Sequence, residues 1–289
     1  LNAMAGLSWQ ERTYRYNKSY TEGFFDDFFE DNNMGLGTLP SSPESSWNRW
    51  AMNSYFLRFA YTYKDRYSAT VTGRVDGSSK FGANNKYAFF PSAGLAWNVS
   101  QEDFLKDNNY ISNLKLHTSF GLTGNSEIDP YKSLGLVSAS TTLFNGARVP
   151  SLYVNNMPNP DLKWEKTAQF DAGFNLGLFQ NRLNFDVSYY LKNTTDLLLD
   201  CPVPHSTGYS TIFKNIGSVR NQGVDIMVNA TPIQGEFTWN STLNLNFNKN
   251  EITKLGDTDA DIYMDDWVNG GTILRVGESM GSFYGVVRE

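Results

Sequence analysis

The chain has 289 residues, a net charge of −6, one cysteine and two histidines. The negative balance argues against nucleic acid, which selects a basic face, and the lone Cys201 excludes an internal disulfide or a cysteine-based zinc site. His117 and His205 leave little for a histidine-rich metal centre. No run of about 18 apolar residues occurs, which excludes a transmembrane helix but not a barrel, whose strands show only alternating segments of about ten residues.

Taken in order, the chain is dominated by a period of two, the signature of strands whose successive side chains point to opposite faces. Residues 1–16 alternate, with Ala3, Ala5, Leu7 and Trp9 against Asn2, Met4, Ser8 and Gln10. Residues 17–51 read as a long loop carrying the aromatic-acidic patch Phe24 to Glu30. Residues 52–77 form a hairpin. Tyr55, Leu57, Phe59, Tyr61 and Tyr63 share one face, Lys64-Asp65-Arg66 makes the turn, and Tyr67, Ala69, Val71, Gly73 and Val75 return. Arg58, Arg74 and Asp76 fall on the other face. Residues 86–99 are the next strand, with Pro91 predicting a kink or bulge. Gly73, Gly94 and Gly173 read as bulges or bends rather than contacts. A short helical turn is expected within 100–111, capped by Ser100.

Leu114 to Leu122 mark a strand, and 124–162 a long segment rich in Asn, Pro, Ser and Gly. Residues 163–178 and 183–191 alternate around a tight turn at Gln180-Asn181. After a loop at 200–216 come strands at 217–231 and 237–248. In the latter, Phe237, Trp239, Leu243, Leu245 and Phe247 oppose a row of Thr and Asn. Residues 251–279 read as an acidic loop, and SFYGVV opens one more strand.

The connections alternate between short and long around roughly ten antiparallel strands, as outer-membrane barrels sort short periplasmic turns from long extracellular loops. A soluble β-sandwich has no reason to sort its loops this way, although its strands would alternate too. The pattern therefore favours an all-β, transmembrane antiparallel barrel, with the Tyr55–Tyr63 row toward lipid and Arg58, Arg74 and Asp76 toward the lumen.

Several stretches carry a resemblance. YFLRFAYTYKDRYSATVTGRVDGSSKFGANNKYAFFPSAGLAWNVSQEDF (55–104), NLKLHTSFGLTGN (113–125), the segment NPDLKWEKTAQF onward (159–199), NIGSVRNQGVDI (215–226), FTWNSTLNLNFNKNEITKL (237–255) and VGESMGSFYGV (276–286) resemble the barrel of the SusC/RagA family, TonB-linked outer-membrane transporters of Bacteroidetes. The resemblance implies a barrel of about 22 strands around an N-terminal plug. Residues 1–289 would then be about ten of those strands, a partial barrel whose plug and TonB-contacting segment lie outside this chain.

It further implies location in the cell outer membrane, import of oligosaccharides or peptides together with a SusD-like surface lipoprotein, energy through TonB, no cofactor and no enzymatic activity. Two alternatives stay open: a passive outer-membrane channel or receptor, and a soluble carbohydrate-binding β-sandwich.

Candidate site residues are few. Trp47, Trp50 and Tyr153 fall in predicted external loops, where aromatics can stack on a substrate. Asp257, Asp259, Asp261 and Asp265 match four positions of a calcium loop, but Ile262 replaces its glycine and Val268 its bidentate glutamate, so no metal is expected there. Gly277-Glu278-Ser279-Met280-Gly281 matches a hydrolase elbow in letters only, because a strand rather than a helix follows and no His lies downstream. Asp186, Asp225 and His117 are expected on the lumen wall.

Overall fold

The computed structural model describes residues 1–26, 28, 30, 32–106, 108–209, 211–256, 258–263 and 271–285. Nine long strands make one antiparallel sheet: β1 (Asn2–Lys18), β2 (Glu44–Tyr63), β3 (Tyr67–Ser78), β4 (Tyr87–Asn98), β5 (Ile111–Asn125), β6 (Glu165–Leu178), β7 (Leu183–Thr195), β8 (Ser218–Ile233) and β9 (Trp239–Lys254). Their spatial order is their chain order, so every connection joins neighbours and the sheet is a simple meander. Among the described residues the other sheets are two- or three-stranded pieces of the connections, none large enough to cover a face of the wall, and β1 and β9 each pair on one side only. A β-sandwich is thereby removed, and an open section of a barrel wall remains.

Because a meander reverses at each strand, its connections fall alternately at the two ends. The turns at 64–66, 179–182 and 234–238 share one end with the segment 99–110, which opens with a single 3-10 turn at Val99–Gln101. Lys64 and Asp65 both adopt the left-handed region (φ 52° and 56°), and the Arg66 N–H donates to Tyr63 O at 3.0 Å. That backbone twist matches the twist of the flanking strands, so the turn fixes the β2–β3 register. The opposite end carries the long connections.

Those long connections hold more structure than the sequence pattern predicts. The segment 126–164 contains a hairpin, Val137–Phe144 with Ala147–Val154, closed by Asn145-Gly146 at φ 51° and 77°. A second hairpin pairs Leu198–Pro202 with Thr211–Asn215. The wall strand β2 begins at Glu44, well inside the stretch read as loop. The expected tenth wall strand does not join the wall: Ser282–Phe283 pairs with Thr272–Leu274 in a small sheet beside β9, and residues 286–289 lie outside the described ones.

Neither Pro91 nor the three glycines interrupts the ladder. Gly73 pairs with Pro91 in an unbroken β3–β4 register. The β4–β5 ladder begins at Ser92, so Pro91, with no N–H to donate, stands just outside the end of that ladder. A Cβ on Gly73 would approach the Phe89 ring at 3.2 Å, and one on Gly173 would collide with the Val187 carbonyl and meet His117 Nε2 at 2.9 Å. Gly73 thus makes room for a ring and Gly173 for a close neighbouring backbone, and neither marks a bend.

Packing is concentrated at the long-loop end. Phe81, Phe90, Ile128, Leu162 and Trp164 form one buried cluster, and Val219, Ile252, Leu255 and Leu274 another. Trp164 contacts Phe81 at 4.8 Å and Phe90 edge-on at 5.6 Å, while its indole N–H donates to Lys86 O at 2.9 Å. The Asn215 amide donates to Lys163 O at 2.7 Å and Asp196 O at 3.0 Å. The connections are thus stapled to one another over the rim, with backbone carbonyls outside their hairpins accepting side-chain donors.

Candidate functional site

The register divides the wall into two chemically opposite faces. Asn2, Ala60, Thr70, Gly94, Ser119, Asp171, Tyr190, Gly223 and Asn248 pair in succession across all nine strands. One residue along, Tyr61, Ala69, Leu95, Thr118, Ala172, Tyr189, Val224 and Phe247 form the adjoining row on the other face. The first row is small or polar and the second largely apolar. On the apolar face Leu95 and Phe247 are each 62% exposed. A water-soluble protein does not leave so broad an apolar face uncovered.

Aromatic residues bracket that face. Tyr63, Tyr67 and Trp97 lie side by side near the short turns, and Trp9 and Tyr87 share a row toward the long connections. On β2 the two rows cross at Tyr63 and Asn53. Their separation is about 33 Å along the strand, or about 25 Å at a tilt of about 40°, the height of a barrel's lipid-facing band.

The opposite face is held by hydrogen bonds among its own polar groups. Arg74 Nε donates to both oxygens of Asp76 at 2.7 and 2.8 Å, and Nη2 to the buried Ser54 hydroxyl at 3.1 Å. Gln169 donates to Asp171, Asn175 to Asp186 and Asn246 to Asp225. The Tyr190 hydroxyl reaches Asn248 at 3.1 Å. Arg58, Arg74, Asp76, Gln169 and Asp171 border a concavity of about 650 Å³ roofed by Phe90 and Trp164. His117 pairs with Ala96 and Gly173 on this same face.

Nearer the rim lies a second chamber of about 600 Å³, bordered by Arg12, Trp50, Lys80, Glu127, Asp129 and Phe213 among others. Lys80 Nζ sits 4.8 Å from the Trp50 ring centre and donates to Ser126 O at 3.2 Å. Burial pulls the Lys80 ammonium below its usual pKa, with Glu127 and Asp129 opposing.

The predicted site residues separate. Trp50 pairs with Arg12 and faces the chamber, whereas Trp47 pairs with Arg15 on the outward face. Tyr153 stands exposed on the 147–154 strand of the outer hairpin and borders neither cavity. Asp257 and Asp265 lie outside the described residues. Asp261 is engaged by Arg275 at 2.7 Å, and Asp259 accepts the Leu255 N–H at 2.7 Å. Ser279 contacts the Ser282 hydroxyl at 3.3 Å. The sequence reading missed Lys80, Glu127 and Asp129, which come together only when two connections fold over one rim.

The sequence matches the family described as TonB dependent receptor-like, beta-barrel over residues 2–286. The chain belongs to that family. A TonB-dependent receptor of Formosa agariphila is 37% identical over 290 residues, covering 99% of this chain and 29% of the relative. The TonB-dependent receptor SusC of Bacteroides thetaiotaomicron is 37% identical over 245 residues, covering 80% and 24%. The RagAB peptide importer in its closed-closed state superposes with a TM-score of 0.85 at 32% identity, covering 97% of this chain and 30% of that one. The resemblance to the SusC/RagA family is thereby established. The chain spans about three tenths or less of the length of these relatives.

Proposed function

We propose that this chain is a section of the wall of an outer-membrane importer that takes up oligosaccharides or peptides, works with a SusD-like surface lipoprotein and draws energy through TonB. The observation that carries this reading is the row of small or polar residues that runs across all nine strands, back to back with an apolar face. Such a wall holds water on one side and lipid on the other. The wall groups supply polar contacts along a conduit and no catalytic chemistry. Trp50, at the rim on the inner face, is the aromatic best placed to meet an incoming substrate. Similarity to a TonB-dependent receptor named SusC and to a peptide importer supports the class of process.

The test is uptake by cells expressing the full-length protein with its neighbouring lipoprotein, using fluorescent peptides and oligosaccharides. Uptake should stop when TonB is deleted. Undiminished uptake without TonB would replace the importer with a passive channel.

A further inference from the structure

From the unpaired charges of the rim chamber we infer that it binds peptides carrying charges of both signs in preference to neutral oligosaccharides. The inference rests on the importer reading and narrows its substrate class.

On the wall below, Arg74 is closed on Asp76. In the chamber Arg12, Glu127, Asp129 and Asp200 make no ion pair among the described residues, although cations and carboxylates border the same space. Its two lysines lie against aromatic rings instead, Lys80 on Trp50 and Lys132 on Phe213 at 5.4 Å. Opposite charges held apart around a cavity remain hydrated until something enters.

A neutral oligosaccharide that displaced this water would return hydroxyl hydrogen bonds but no countercharge, a weaker compensation than opposite charges brought to both signs at once. A peptide segment brings an ammonium or guanidinium to Glu127 and Asp129 and a carboxylate to Arg12 or Lys132. Its side chains meet Trp50 and Phe213. About 600 Å³ is room for a few residues, and Ile128, buried in the rim cluster between Glu127 and Asp129, anchors the backbone that carries both carboxylates. The lowered pKa of Lys80 marks the same partial removal of water at the chamber wall.

The experiment uses the purified full-length transporter with its lipoprotein in detergent, and calorimetric titration of three probes. These are a hexapeptide with free termini containing one Lys and one Glu, the same backbone capped at both ends with Lys and Glu replaced by Gln, and maltoheptaose. The charged peptide should bind at least about tenfold more tightly than either neutral probe. Glu127→Gln with Asp129→Asn should weaken it by about tenfold more, and Lys132→Gln should weaken it to a smaller extent. Heat-modifiable migration on gels confirms that each variant is folded.

Equal binding of maltoheptaose and the charged peptide would overturn the inference, with the importer reading intact. So would charge-removing variants that keep full peptide affinity. Loss of the lipoprotein from the double variant, with peptide affinity unchanged, would make the chamber a protein interface and overturn it too. Absence of TonB-dependent uptake for every probe would sink the importer reading itself.

Discussion

The Tyr67 hydroxyl donates to Glu102 Oε1 at 2.7 Å, and the same oxygen accepts the Trp97 indole N–H at 3.0 Å. The other oxygen of Glu102 takes Arg66 Nη1 at 2.8 Å. One carboxylate therefore ties the β2–β3 turn to β4 and to the segment after it, at the short-turn end where the aromatic row meets the membrane surface. The hydrogen bonds from Tyr67 and Trp97, helped by Arg66, hold the Glu102 carboxyl below its usual range.

A pH dependence follows with a defined sign. A carboxyl whose folded pKa lies below its unfolded value of about 4.3 contributes fully above that value and loses its contribution as pH falls through the folded pKa. The urea midpoint of the full-length protein in detergent, followed by tryptophan fluorescence, should fall between pH 6 and pH 3. Glu102→Gln should start lower at pH 6 and flatten that fall. An identical pH profile in the variant would show that Glu102 is not the group responsible.

Leu162, at 0% exposure, sits in the cluster that joins the loop at 79–86 to the segment before β6. Leu162→Ala should cost about 2–5 kcal/mol of local stability through lost burial and the cavity left behind. Because the cluster lies at the rim, the cost should appear as faster proteolysis of residues 126–164 with the wall intact. Mass mapping of limited digests reads this directly.

Gly82 packs against the Pro160 carbonyl, where an added Cβ would collide with backbone, and its own N–H donates to Leu162 O at 3.0 Å. Backbone cannot rotate away as a side chain can. Gly82→Ala should therefore open the same rim, with a digestion pattern like that of Leu162→Ala. Gly285→Ala, with nothing within 4 Å, is the control that should digest like the wild type.

The wall was legible in the sequence because a half-lipid, half-water strand must alternate, and alternation over a dozen residues survives without tertiary information. Tyr55 to Tyr63 and Leu243 to Phe247 show this plainly. The rim was not legible. Asn145-Gly146 is a strong hairpin signal, yet Pro, Ser and Asn around it masked the strands that it joins. Trp47 and Trp50 looked equivalent in a loop, but once β2 extends to Glu44 a spacing of three places them on opposite faces. The chamber charges come from β1, the loop at 79–86, the segment 126–164 and the hairpin strand Leu198–Pro202, so nothing in their spacing announces them.

Adjacent residues on β9 decide which face of the wall meets lipid. Leu243 lies on the apolar face at 52% exposure, and Asn244 on the polar face beside Met227 and Asp186. Folding of the full-length protein into lipid vesicles, measured for Leu243→Arg and Asn244→Arg, is the most direct test. Leu243→Arg should lose about 2–4 kcal/mol near the midplane, while Asn244→Arg folds close to the wild type. Equal tolerance of the two, or a larger loss for Asn244→Arg, would contradict the assigned faces.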